Sequence, residues 1–271
     1  MKILLINISF FILIATPIFA ATIDTLDVYS SKMEKYIKTI VVKPDSYEVL
    51  SGFPVLYLLH GHGGSYNGLI KKSPQIMELA DLYEMMIVCP DGGLDSWYWD
   101  SPIDSTYRYE TFISKELVSC IDKRYKTIPS RESRAITGIS MGGHGALYVA
   151  FRNQDTFGAC GSISGGVDIR PFPNNWGMSK YIGKQSEHPE YWEKYTVIKL
   201  LYLLTANRLK IIIDCGSDDF FFQANEKLHR MLLYRGIPHD YISRPGAHNW
   251  QYWENAIKFQ ILFFKEFFYV K

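Results

Sequence analysis

Short, largely apolar runs bounded by Gly, Pro or Asp recur along the chain, separated by stretches with helical spacing. This alternation is the strongest constraint on what the chain can fold into. Pro54–Leu59, Met85–Cys89, Arg134–Gly138, Ala159–Ile163, Lys210–Cys215 and His239–Ser243 read as buried, mostly parallel strands. Thr25–Tyr29 and Tyr36–Val42 mix polar and apolar residues, as strands with one wet face do. Between them, Tyr109–Tyr125 carries Phe112, Ile113, Leu117, Cys120 and Ile121 at helical spacing, and Gly142–Arg152, Gln223–Arg235 and Asn249–Phe268 also fit helices. Ser73-Pro74 opens another, with an N-cap followed by a proline in the first turn. Strands alternating with helices predict an α/β fold: a mostly parallel eight-stranded sheet with helices on both faces and an antiparallel edge from the first two strands. The 271 residues allow a substantial core, and no repeat or low-complexity linker divides them, so 21–271 reads as one domain. Ser164–Asn207 is the longest irregular stretch, and in such folds a segment of this kind often covers the active site.

Residues 1–20 stand apart. Met1-Lys2 precedes an apolar stretch with only Asn7 and Ser9 as polar interruptions, and Thr16-Pro17-Ile18-Phe19-Ala20 follows. One positive charge, an apolar run of about 13 residues and a small residue at its end describe a secretory signal peptide cut after Ala20. The run is short of the roughly 20 residues a membrane span needs, so no stable membrane insertion is expected after cleavage. An exported product, periplasmic or secreted, follows. Export would expose the four cysteines to oxidising conditions. Cys89, Cys160 and Cys215 nevertheless lie in or beside strand-like runs, and Cys120 on the apolar side of a helix, so all four read as buried small hydrophobes. With 29 basic and 28 acidic residues the net charge is +1, and there is no electrostatic case for nucleic acid or an anionic membrane as partner.

Gly138-Ile139-Ser140-Met141-Gly142-Gly143 falls between a predicted strand and a predicted helix. There the glycines allow a sharp turn that lifts a serine hydroxyl above the sheet edge, with a helix N-terminus behind it to favour developing negative charge. A serine nucleophile in this setting needs an acid and then a histidine later in the chain. His229 lies mid-helix and His239 at a strand start, where a surface position is expected. His248, in Pro245-Gly246-Ala247-His248-Asn249-Trp250, sits in a turn between the last strand and the last helix, where a general base belongs. For the acid, Asp214 lies in the strand end and is expected to serve the backbone. Asp218 and Asp219 lie on the following loop, and spacing alone does not separate them. An oxyanion hole needs two backbone N–H groups: one from Met141, after the nucleophile, and one from His60-Gly61-His62-Gly63-Gly64-Ser65, where His62 offers its amide. His60 reads as a structural hydrogen-bonder. A zinc site at His60 and His62 lacks a third ligand nearby, so no metal and no cofactor is expected.

Together with Val55–Leu59 ahead of the glycine-rich loop, Cys89-Pro90-Asp91-Gly92-Gly93, Trp97-Tyr98-Trp99-Asp100-Ser101-Pro102, Tyr109-Glu110-Thr111-Phe112 and Cys215-Gly216-Ser217-Asp218-Asp219, these segments resemble the esterase D/feruloyl-esterase family of α/β-hydrolases. That family also takes in acetylxylan esterases, S-formylglutathione hydrolases and mycolyltransferases. The resemblance implies Ser140, Asp219 and His248 as a catalytic triad, since the family acid stands three residues after the loop glycine. It also implies oxyanion amides at His62 and Met141. Ser164–Asn207 matches no pattern of the family. The reading is an exported serine ester hydrolase acting through an acyl-enzyme on a small-molecule or oligosaccharide ester, with acetyl or feruloyl esters of plant polysaccharides as candidates. Gly63, Trp97 and Trp250 are candidate substrate contacts, because rings near the catalytic edge suit a sugar or a phenolic acyl group. The alternatives are an acyltransferase, a thioesterase like S-formylglutathione hydrolase, and a catalytically silent carbohydrate-binding protein. Oligomeric state is not legible.

Overall fold

Strands with no polar side to present to water must be covered on both faces, and the chain provides helices for each. A computed structural model describes residues 20–269. The signal-peptide reading, Ala20 apart, lies outside the described residues. Eight strands form one sheet: β1 (Thr22–Ser30), β2 (Lys35–Lys43), β3 (Val55–Leu59), β4 (Met86–Pro90), β5 (Arg134–Gly138), β6 (Ala159–Ile163), β7 (Lys210–Gly216) and β8 (Asp240–Arg244). Their order is β1-β2-β4-β3-β5-β6-β7-β8. β1 and β2 pair antiparallel, β2 meets β4 antiparallel, and all other pairings are parallel.

Alternation along the central strands sends side chains to two cores. Val55, Tyr57 and Leu59 of β3 face a core shared with α3 (Tyr109–Thr111), α4 (Val118–Arg124), α5 (Met141–Arg152) and α8 (Phe222–Tyr234). Leu56 and Leu58 face the other core, against α1 (Gly68–Lys72), α2 (Gln75–Leu82) and α9 (Trp250–Tyr269). In α9, Tyr252, Ala256, Ile257, Gln260, Ile261 and Phe264 form the buried stripe. Gln260, buried within it, is satisfied by the Thr137 hydroxyl at 2.7 Å.

Four local expectations are corrected. The last strand, expected to be buried, is β8 at the sheet edge, and none of its residues is buried because only one neighbouring strand and part of one face cover it. The helix expected over Tyr109–Tyr125 contains a π-helical segment, Phe112–Leu117, between α3 and α4. At α2 the Ser73 hydroxyl accepts the Gln75 side-chain amide and caps no backbone N–H. His239 is half-buried, held by its own turn at Ile237 O and by His229, each at 2.8 Å. The cysteines are all free; Cys89, Cys160 and Cys215 are buried and Cys120 half-buried.

The segment after β6 is no external flap. It forms α6 (Ser179–Ile182) and α7 (Pro189–Lys194), and buries Val167, Ile169, Tyr181, Trp192 and Val197 in the first core. Its Trp192 indole N–H donates to Gly183 O at 3.0 Å, which lets so large a ring be buried without an orphan donor. The chain leaves β3 toward β4 on one side and returns to β5 on the other. A crevice therefore opens at the carboxyl ends of β3 and β5, where open α/β sheets bind ligands.

Candidate active site

Ser140 occupies the turn between β5 and α5 with φ 57° and ψ −114°, a conformation L-residues rarely adopt. Its neighbours leave no alternative. The Ser140 N–H donates to Ile163 O on β6 at 2.9 Å, and the Ile139 N–H donates to Leu59 O on β3 at 3.1 Å. A side chain at Gly142 would collide with the Leu59 carbonyl, and one at Gly138 with the Gly142 carbonyl. The turn is thus clamped between two strands, and its glycines are required by close backbone approach. Such strain costs on the order of 1–3 kcal/mol and persists only where the surroundings over-determine it.

The loops after β7 and β8 bring the other two groups to this turn. Gly216 and Gly246 pack so closely that a side chain on Gly216 would strike Gly246 O. The Ser217 N–H donates to Arg244 O and the Asp218 N–H to Gly246 O, both at 2.9 Å. The result is one hydrogen-bonded line: the Ser140 hydroxyl lies 2.9 Å from His248 Nε2, and His248 Nδ1 lies 2.8 Å from Asp219 Oδ2. The second Asp219 oxygen accepts the Phe221 N–H at 2.8 Å. With its Nδ1–H directed at a carboxylate, His248 presents a lone pair to the serine hydroxyl, the arrangement that lets an imidazole accept a proton. Asp219 is buried and Asp218 exposed, its carboxylate directed toward the Ser217 hydroxyl at 3.5 Å. Asp214, expected to serve the backbone, instead accepts from Tyr252 Oη at 2.5 Å and Arg244 at 2.6 Å, tying β7 to β8 and α9. Burial raises its pKa.

Opposite the serine, a side chain on Gly61 would meet Ile139 O and Ser140 Cβ at 3.2 and 3.3 Å, so the loop after β3 lies directly against the Ser140 turn. The His62 N–H has no protein acceptor among the described residues, and Met141 opens α5, where N–H groups lack intrahelical partners. The Gly63 N–H is committed to Leu94 O at 2.8 Å, so Gly63, with φ 70° and open space where a side chain would stand, offers the cleft only backbone surface. His60 holds the loop: its Nε2 accepts the Gly92 N–H and its Nδ1–H donates to Gly61 O, each at 2.8 Å. Burial lowers its pKa and keeps it neutral. Among the described residues no group of three His, Cys, Asp or Glu side chains could hold a metal ion.

A cleft of about 530 Å³ adjoins Ser140 and His248. Trp250 lines it, but Trp97 does not. Trp97 adopts φ 53°, which turns its indole inward beside Trp99 and His144, and it is fully buried. The ring it would have supplied comes from elsewhere. Trp176, Phe220 and Trp253 line the cleft, with Phe220 4.3 Å and Trp253 4.8 Å from the His248 ring centroid. Phe220 follows Asp219 directly and could have been found from that adjacency; Trp176 sits in the irregular segment and carried no local signal. A larger groove, about 1120 Å³, lies under the C-terminal half of α9 and contains no nucleophile–base pair.

Known proteins share this frame. A family profile described as "Putative esterase" matches residues 30–263. An acetyl esterase of Caldicellulosiruptor saccharolyticus is 26% identical over 223 residues, 74% of this chain and 79% of that protein. S-formylglutathione hydrolase of Mus musculus is 28% identical over 196 residues, 65% of this chain and 67% of its own length. A solved ferulic acid esterase structure superposes with a TM-score of 0.78 at 27% identity, covering 92% of this chain and 99% of that one. The family match takes in the sheet from β2 onward and every loop that builds the crevice, so the chain belongs to this esterase family of α/β-hydrolases, and its chemistry is carboxylic ester hydrolysis.

Proposed function

We propose that the protein is an exported serine esterase in which Ser140, His248 and Asp219 form the catalytic triad, acting on acetyl or feruloyl esters of plant polysaccharide fragments. The observation that carries this reading is the continuous line Ser140–His248–Asp219 at the topological switch point. In the reaction, Ser140 Oγ attacks the ester carbonyl carbon while His248 Nε2 takes the hydroxyl proton. The carbonyl oxygen becomes an oxyanion held by the His62 and Met141 N–H groups, and Asp219 stabilises the imidazolium. Collapse of the tetrahedral intermediate expels the alcohol, which takes the proton from His248. A water molecule, deprotonated by His248, then releases the acid and restores the Ser140 hydroxyl.

For the substrate, the aromatic lining by Trp176, Phe220, Trp250 and Trp253 supports a sugar or phenolic group beside the reacting carbonyl. Likeness to an acetyl esterase and a ferulic acid esterase supports the same class. Purified protein incubated with acetylated and feruloylated xylan fragments is expected to release acetate or ferulate, and Ser140→Ala to release neither while remaining folded. Undiminished release by Ser140→Ala would refute the assignment of the nucleophile.

A further inference from the structure

Among the described residues, the cleft beside Ser140 is lined by one permanent charge, and it is positive. Lys72, at the end of α1, lines it together with Trp250, and no carboxylate does. Asp219 reaches the site only from beneath, with both oxygens engaged by His248 and the Phe221 N–H. Some surface lysines are neutralised by carboxylates, as Lys38 is by Asp27, Lys184 by Glu187 and Lys265 by Glu266. Lys72 forms no such pair among the described residues. Its ammonium lies instead 4.6 Å from the centroid of the Trp250 ring. Cation–π contact with an indole holds a lysine in place but leaves its charge unneutralised, so the ammonium remains available to an anion entering the cleft. A single ammonium, with no guanidinium fork beside it, suits a monoanionic carboxylate better than a phosphate, which calls for several convergent donors.

We infer that Lys72 is a specificity-determining residue that favours esters whose non-reacting part carries a carboxylate, with the Trp250 indole supporting the group that bears it. The inference rests on the esterase reading above. An ammonium–carboxylate pair about 4 Å apart in a half-open cleft corresponds to roughly five- to tenfold in discrimination, and salt screens it.

The test compares kcat/KM for 4-acetoxybenzoate and 3-(4-acetoxyphenyl)propanoate, each against its neutral methyl ester. Taking the anionic-to-neutral ratio and comparing it between variants cancels leaving-group reactivity. Lys72→Met should lower the ratio about five- to tenfold for at least one pair and Lys72→Glu should lower it further. Lys72→Arg should preserve it, and 0.5 M NaCl should shrink the difference between wild type and Lys72→Met. Normal turnover of the neutral esters with an unchanged ratio in both Lys72→Met and Lys72→Glu overturns the inference alone. Wild-type protein that hydrolyses none of the four esters overturns the esterase reading and the inference with it.

Discussion

Asp219→Asn should silence the protein through the tautomer of His248, and the structure sets the size of the effect. The Asp219 carboxylate serves two donors at once, the His248 Nδ1–H at 2.8 Å and the Phe221 N–H at 2.8 Å. An amide has one acceptor oxygen and cannot satisfy both. If its oxygen stays with the buried Phe221 N–H, its NH2 faces His248 Nδ1. That forces the proton to Nε2 and removes the lone pair that must accept the serine proton. If it flips, a buried N–H loses its acceptor, at a cost of about 1–3 kcal/mol. In either orientation the imidazolium also loses a charge-assisted hydrogen bond, worth about 1.5–3 kcal/mol. Together these amount to roughly 3–6 kcal/mol of transition-state stabilisation, or about 10²–10⁴-fold in kcat/KM. Asp218→Asn, on the exposed neighbour, should stay within about twofold. Hydrolysis of 4-nitrophenyl acetate by the two variants, with thermal melts to establish that both are folded, is the measurement. A folded Asp219→Asn within tenfold of wild type, or a larger loss at Asp218, would refute the reasoning.

Ser140→Gly should abolish ester turnover yet raise stability by about 1 kcal/mol, because glycine adopts the strained turn without penalty; denaturant unfolding that gives no gain would contradict the strain argument. His144, fully buried, accepts the Trp99 indole N–H and donates to Gly166 O, and burial pushes its pKa down to about 4. It stays neutral in the folded state while the unfolded chain takes up a proton near pH 6.5. Stability should therefore fall as pH drops from about 6.5 toward 4, by up to about 1.4 kcal/mol per unit from this residue. His144→Gln should flatten that slope in urea titrations at pH 7 and pH 5, whereas an unchanged slope would place the proton uptake elsewhere. At the other end of the sheet, the Ala21 N–H lies 2.7 Å from Asp81 Oδ2. Cleavage after Ala20 would turn that N–H into an ammonium facing a carboxylate, so Asp81→Asn should lower the Tm of a chain beginning at Ala21 more than that of a chain with a neutral extension. N-terminal sequencing of the purified protein that finds a first residue other than Ala21 would remove the basis for this pair.

Local patterning made most of the frame legible. The inner strands β3 to β7 matched runs readable from apolar clustering because burial on both faces demands such runs, and β5 and β6 begin and end where the sequence placed them; β8, read as buried, lies half-exposed at the edge. The π-helical segment at Phe112–Leu117 was not legible, since one extra residue in a turn leaves hydrophobic spacing almost unchanged. The three groups now in line with one another were each visible as turn residues after a strand, because α/β sheets present such turns at one edge.

By itself the sequence determined the strand–helix alternation, the glycine-bounded serine turn and the histidine after the last strand, all features whose physics acts within a few residues. Spacing left Asp218 and Asp219 open and only resemblance favoured Asp219; the tertiary structure brings Asp219 to His248, because the two acids differ by a single position and are separated by which way the loop packs against Gly246. It also decided that Trp97 turns inward while Trp176, Phe220 and Trp253 line the cleft, and that Lys72 stands there beside Trp250. Those outcomes depend on side chains far apart in the chain competing for the same space, and no local pattern records that competition.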